Sequence, residues 1–530
     1  AFPFFPYGGK SDGSIRLFAA LDREGEAAAA AEAVLSAARS GVRYRDMAVI
    51  AGDPSYMGPL ERAFSARGIP FFSDARHKLT DFAAPRLLMA ALRCVSRGFV
   101  QNDLLDLMKT GLCGVSRDDW EYLENHLVAW GLRGQSLSRP LGQPDTPPQA
   151  EAARAAGIYP YFHELESRQA PEVVMEGKRR IMLGSNNYLG LTTHPRVIQA
   201  GRDALEAFGS GCSGSRFLNG TLCLHVELEK ELADFLGKEG VMTFSTGFQT
   251  NLGAISALVG KDDYILCDRE NHASIYDGCR LSYGTVLRYR HNDMEDLERK
   301  LARIPKEAGK LIVTDGVFSM GGDICKLPQI VALAKAYGAR TMIDDAHGLG
   351  VLGPGGRGTA AYFDLVDQVD IITGTFSKSL ASLGGFMTGD ARVVDYVRHV
   401  SRPFIFCASI PPASCATALE ALRILKENPQ MPQRLLELSA YMRRGLTQRG
   451  IPIRESATPI IPIYTYEATR TLQMAKRLYE AGVYVNPVLP PATPATECLL
   501  RTSYMATLTE ALLDEALDIF ERVLKGHGEA

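Results

Sequence analysis

No surplus of basic charge marks this chain: 58 Lys and Arg stand against 61 Asp and Glu, a formal net charge of −3. A surface that neutralises a phosphate backbone needs such a surplus, so nucleic acid is not expected as a partner. The ten cysteines are scattered, with no CxxC pair and no regular spacing. That argues against a zinc site and a disulfide framework, so no metal is expected, and it fits a reducing, cytoplasmic location. No run of about eighteen apolar residues occurs, so no membrane-crossing helix is expected. The apolar start, Ala1-Phe2-Pro3-Phe4-Phe5-Pro6, lacks a basic segment and is broken by prolines, unlike a signal peptide. A start without Met is expected of a fragment or a processed product. Gly8-Gly9-Lys10-Ser11 has the tail of a P-loop, but Phe4 stands where that motif needs its first Gly, so no ATP site is expected.

What is present is a globular composition, 46% apolar and 22% charged over 530 residues, enough for two to four domains. Residues 1–143 read as an α/β segment of their own. Strands are expected at 15–20, 46–51 and 69–72, with an Ala/Glu-rich helix over 24–39 and mostly helical sequence to about Trp130. Residues 136–149, including Gln143-Pro144-Asp145-Thr146-Pro147-Pro148, are Pro-rich and polar without periodicity, as a linker is. Beyond it the expected division is a linker and N-terminal arm over 144–200, a large domain over 201–400, and a smaller α+β domain over 401–530. In the large domain, apolar runs such as 264–268, 310–315 and 341–344 alternate with helical segments, which predicts a mostly parallel sheet with its chemistry at the strand ends.

The chemistry gathers at those ends. Val369-Asp370-Ile371-Ile372-Thr373 reads as a buried strand, then turns abruptly into Gly374-Thr375-Phe376-Ser377-Lys378-Ser379-Leu380. A lysine placed there can lose its proton when desolvated, and the free amine attacks an aldehyde. Thr375 and Ser377 offer hydroxyls for a phosphate. Upstream, Thr341-Met342-Ile343-Asp344-Asp345-Ala346-His347-Gly348 ends an apolar run in acids and a histidine. A carboxylate at such an end can keep a pyridinium nitrogen protonated. Asp268-Arg269-Glu270-Asn271-His272 carries a histidine able to stack on a flat ring, and Ser245-Thr246-Gly247-Phe248-Gln249 is a Gly turn entering a helix, whose free N–H groups suit a phosphate. Taken singly, Lys378 reads as a loop lysine, Asp344 as a strand-end acid, and either histidine as a packed one.

In this order and spacing the motifs resemble the α-oxoamine synthase family of pyridoxal-phosphate (PLP) enzymes, from about residue 150 to the C-terminus. The resemblance implies the aspartate-aminotransferase type of fold (fold type I) and a decarboxylating condensation of an amino acid with an acyl-CoA. It implies that Lys378 holds PLP and then serves as general base, that Asp344 pairs with the pyridine nitrogen, and that His272 stacks on the ring. His347 would approach the ring's phenolic oxygen, with Ser319 nearby. Gly247 and Phe248 N–H groups and Thr375 would hold the phosphate, Ser377 being a weaker candidate. Ser409 would reach the phosphate of a partner subunit in a homodimer. Asn187, in Ser185-Asn186-Asn187-Tyr188-Leu189-Gly190, would lie near the substrate, and Arg501 would grip its carboxylate as a planar fork. The Gly-rich run 209–220 would border the site, and His225 is left without a role. Within the family the resemblance is to bacterial serine palmitoyltransferase-type members, which implies L-serine and a long acyl-CoA as substrates and 3-ketodihydrosphingosine as product. Glycine C-acetyltransferase, aminolevulinate synthase and 8-amino-7-oxononanoate synthase stay open as alternatives, with glycine in place of serine in the first. Residues 1–143 resemble something else, an interior piece of the AddB subunit of bacterial helicase–nuclease complexes. That implies an inactive fused fragment, or, as a function of another class, a DNA-repair accessory protein.

Overall fold

The computed structural model describes residues 19–73, 82–97, 101–116, 123–124, 148–490, 492–494 and 496–525. Contacts divide the chain into two units, 1–148 and 149–530. In the first, the helix Arg23–Arg39 starts at Asp22, whose side chain accepts from the Gly25 N–H, and packs on Met57–Ala66 through Ala31, Phe64 and Ile69. A second helical pair, Ala83–Ser96 and Gln101–Met108, is tied by Arg93 Nε to Asp103 at 3.1 Å. Among the described residues the strands expected at 46–51 and 69–72 do not form: no sheet partner lies beside them there, and the regular structure described in this unit is helical. An apolar run has the propensity of a strand but becomes one only against another strand's N–H and C=O groups. The run 15–20 and the linker lie largely outside the described residues.

The second unit carries thirteen strands among its described residues: β1 (Glu172–Met175), β2 (Lys178–Met182), β3 (Gly240–Phe244), β4 (Tyr264–Asp268), β5 (Thr285–Tyr289), β6 (Lys310–Asp315), β7 (Arg340–Asp344), β8 (Ile371–Thr375), β9 (Gly385–Gly389), β10 (Ile460–Tyr466), β11 (Val483–Tyr484), β12 (Asn486–Val488) and β13 (Cys498–Ser503). Seven form a central sheet in the order β3-β9-β8-β7-β6-β4-β5, in which only β9 runs antiparallel to its neighbours. Successive residues along its middle strands feed two different cores. Ile265, Leu311, Met342 and Ile371 pack on one face, and Leu266, Ile312, Ile343 and Ile372 on the other. Helices therefore cover both faces, as a mostly parallel sheet requires, and the expected fold type I architecture is what the chain adopts.

A third core joins the two ends of this unit. Within the arm β1 pairs with β2, β2 pairs in turn with β11, and Val173, Ile181 and Leu183 pack among Leu438, Ile461, Leu478 and Leu517. The segment expected as an N-terminal arm thus shares a core with residues of 401–530. Conversely, the helix Pro412–Glu427, expected with the small domain, shares its core with Leu189, Leu232 and Phe386. Chain order does not separate these cores; hydrophobic contact does.

Candidate functional site

Five parallel strands end at one place, and each end delivers residues to a single cavity of about 250 Å³. β7 ends in Asp344, with His347 in the turn beyond; β8 ends in Thr375, with Lys378 three residues on. The turns after β4 and β6 contribute His272 and Ser319, and β3 leads into Gly247 and Phe248. Eight of the expected site residues, from five strand ends, therefore share one cavity: Lys378, Asp344, His272, His347, Gly247, Phe248, Ser319 and Thr375.

Each is held. Asp344 is buried, its Oδ2 accepting from Asn251 Nδ2 at 2.6 Å and its Oδ1 from the Ala346 N–H at 2.9 Å. Asn251 is fixed in turn by accepting from Thr373 Oγ1 at 2.9 Å. His272 caps the helix Ala273–Leu281, with Nδ1 2.8 Å from Ser274 Oγ, and its backbone N–H donates to Asp315 Oδ2 at 2.8 Å. The walls around its ring disfavour the imidazolium and lower its pKa. Burial, and then the positive charges of Lys378 and Arg501, hold His347 well below the usual histidine value, so it stays neutral. Its Nδ1 is 2.6 Å from Tyr188 Oη. Burial lowers Lys378 to about 8, against the opposing pull of Asp344. The same burial, with Asp344 beside it, pushes Asp315 well above the carboxylate range.

The phosphate-facing end is built by close approach. Thr246 Oγ1 caps the helix Gly247–Leu258 by accepting from the Gln249 N–H at 3.1 Å. A Cβ on Gly247 would stand 2.7 Å from Thr375 Cβ, so only glycine lets β8 meet this helix start. Thr375 Oγ1 donates to the Gly384 carbonyl at 3.0 Å and lies 2.9 Å from Ser377 Oγ, which aligns both hydroxyls beside free helix N–H groups.

Arg501 reaches in from β13. Its Nε donates to the Ser319 carbonyl at 2.5 Å and its Nη2 to Asn186 Oδ1 at 2.9 Å. Tyr188 Oη also donates to Asn186 Oδ1, at 3.3 Å, completing a chain from Arg501 through Asn186 and Tyr188 to His347. Asn187, expected near the substrate, is turned away. Its Nδ2 donates to Thr192 Oγ1 at 2.7 Å and to the Gln169 carbonyl at 3.3 Å, so the asparagine beside Arg501 is Asn186. Ser409 does not line this cavity: its N–H and Oγ both donate to the Gly214 carbonyl, at 3.0 and 3.1 Å. His225 holds the same loop, with Nε2 2.9 Å from the Ile410 carbonyl. Sequence reasoning missed Asn186, Asn251, Tyr188 and Asp315. Only Asp315, the last residue of an apolar run, carried the strand-end signal that found Asp344.

The donor set fits pyridoxal phosphate: a lysine amine lowered toward neutrality, a carboxylate fixed by two N–H donors, and a hydroxyl-lined helix start that admits no Cβ. The family model for aminotransferase class I and II matches residues 178–520. The chain belongs to the aminotransferase class I and II family. Its relatives are α-oxoamine synthases, as the motifs imply. It is 52% identical to a serine palmitoyltransferase of Sphingobacterium spiritivorum over 71% of this chain and 94% of that protein. It is 43% identical to an 8-amino-7-oxononanoate synthase of Thermoanaerobacter pseudethanolicus over 71% of this chain and 95% of the other. Among solved structures, a variant serine palmitoyltransferase from S. paucimobilis with bound PLP–myriocin aldimine is 41% identical. It superposes with a TM-score of 0.70 over 71% of this chain and 96% of that one.

Proposed function

We propose that the chain is a PLP-dependent acyltransferase that joins L-serine to a long acyl-CoA, releasing CO2 and CoA to give 3-ketodihydrosphingosine. The observation that carries this reading is the convergence of Lys378, Asp344, His272 and the Arg501 chain on one cavity. The choice of serine rests on the 52% identity to a serine palmitoyltransferase. PLP bound there supplies an electron sink for the carbanion that decarboxylating condensation needs.

The chain's own residues do the rest. Lys378 Nζ would hold the cofactor, and its amine, kept largely neutral near pH 8 by burial, would take the proton from the substrate α-carbon. Asp344, kept aimed by Asn251 and Ala346, would keep the cofactor's pyridine nitrogen protonated. Arg501 presents a carboxylate-matching fork whose angle is set by Ser319 and Asn186. Neutral His347 offers its remaining ring nitrogen, and Ser409 serves a partner subunit's site in a homodimer.

CoA release with palmitoyl-CoA and serine, against acetyl-CoA and glycine, tests the reading. Preferred turnover of serine with palmitoyl-CoA supports it. Turnover confined to glycine with acetyl-CoA moves the chain to the glycine C-acetyltransferase branch. The 43% identity to an 8-amino-7-oxononanoate synthase makes alanine with a medium-chain thioester the third pair to measure.

A further inference from the structure

A second cavity of about 300 Å³ lies between β2, the helix Ala468–Ala481 and the segment 157–163, and shares no lining residue with the lysine cavity. Arg180 of β2 lines it and is 4% exposed, with its Nε buried and without a hydrogen-bond partner. Its Nη1 donates to the neighbouring Arg179 carbonyl at 2.9 Å, and its guanidinium lies 4.3 Å over the Tyr479 ring. The acids in the wall are already engaged. Glu176 Oε1 is 2.7 Å from His163 Nδ1, and Glu480 pairs with Lys476 at 3.6 Å. Among the described residues neither Arg180 nor the exposed Lys178 beside it forms an ion pair. The Arg180 charge helps to lower the Glu176 carboxyl across the cavity, yet among the described residues no acid comes within ion-pair distance of this buried guanidinium, and such a group is stabilised where it meets an anion.

The remaining wall is aromatic. Tyr159 carries the Arg154 guanidinium 4.3 Å from its ring centroid, and Tyr484 stands edge-on to His163. We propose that this cavity is a binding site for a phosphate carried on a flat heterocycle, a nucleoside monophosphate unit. Arg180 and Lys178 take the phosphate, because a guanidinium fork matches its oxygens in pairs. Tyr159 and Tyr484 border the ring, since tyrosine combines a flat apolar face with a polar tip. The volume is at the small end of ligand pockets, which suits one such unit and not an extended chain.

The site is wired to the lysine cavity through a short stretch of backbone. A Cβ on Gly184 would stand 2.7 Å from the Tyr484 ring, and Asn486 Nδ2 donates to the Gly184 carbonyl at 2.7 Å. Two residues on is Asn186, the partner of Arg501. The phosphate and ring can come from two sources: the nucleotide end of the acyl-CoA, which rests on the function proposed above, or a free nucleotide, which does not.

Calorimetry on the PLP-loaded full chain, with AMP and 3′,5′-ADP as probes, tests the site directly and needs no turnover. At least one is expected to bind with a Kd of about 1 mM or tighter, weakening roughly tenfold in Arg180→Gln. Lys178→Gln, an exposed change at the rim that spares the core, is expected to weaken it about threefold. If the source is the acyl-CoA, 3′,5′-ADP competes with palmitoyl-CoA, and Arg180→Gln raises KM for palmitoyl-CoA but not for palmitoyl-pantetheine, with kcat unchanged. If it is a free nucleotide, the same variants lose AMP while both KM values stay put. Failure of both probes to bind at about 10 mM overturns the proposal. So does equal affinity in the wild type and both variants.

Discussion

Lys378 sits in opposing fields. Burial drives its amine toward the neutral form, Asp344 and Asp315 favour the ammonium, Arg501 opposes it, and the balance lies at about 8. A free amine acting as base must be unprotonated, so the proton-abstraction rate is expected to rise with pH and level off above about 8; a single-turnover pH profile checks this. Lys378→Ala should abolish turnover and the cofactor's lysine-linked absorption together. His291 shows the reverse balance. Burial disfavours its charge, but Nδ1 lies 3.0 Å from Asp268 and Nε2 2.8 Å from Asp323, and these raise it to about 10. Because the folded pKa exceeds the unfolded value of about 6.5, its stabilisation is full below about pH 6.5 and fades as pH rises through about 10. His291→Gln should therefore cost roughly 2–4 kcal/mol at pH 6, where it leaves carboxylates buried without their cation, and clearly less at pH 10. Denaturant titrations at both pH values measure the difference. The substitution should also disturb turnover, since Asp268 begins the turn carrying His272 and Asp323 closes the one carrying Ser319.

At the scale of elements, the central strands were legible because β4, β6, β7 and β8 are short apolar runs buried on both faces, each broken by a polar turn. The runs at 46–51 and 69–72 carry a similar local signal, yet among the described residues no partner strand comes beside them. Adjacent residues of one turn posed a harder problem. Asn186 and Asn187 are chemically identical, and only the placement of Arg501 on β13 decides that the first meets it while the second meets Thr192. Asn251 left no signal because its importance comes from Asp344, 93 positions away in sequence. Asn251→Ala is expected to lower kcat about tenfold or more by freeing Asp344, with little change in KM for acyl-CoA; steady-state kinetics would show it. Gly247→Ala should weaken PLP retention on gel filtration. Its Cβ would force apart Thr375 and the helix start at a cost of about 1–3 kcal/mol.

At the scale of the whole molecule, the family model begins at residue 178, and every residue placed in the lysine cavity or the Arg501 chain lies in the second unit. A chain starting at Gln149 is therefore expected to keep kcat within about twofold of the full chain, measured as CoA release. A folded but inactive product would assign the first unit a part in turnover. The amino-acid sequence by itself determined the fold type, the family and the nature of the reactive groups. Strand propensity, turn residues and the chemistry of a lysine, an aspartate and an arginine are local properties that survive in one dimension. Only the tertiary structure decided which asparagine serves Arg501, which helix belongs to which core, and that Arg180 and His291 are buried charges with opposite fates. Burial and partnership are properties of space: a guanidinium becomes costly, or an imidazolium stable, only once residues distant in the chain have removed its water and supplied or withheld a counter-charge.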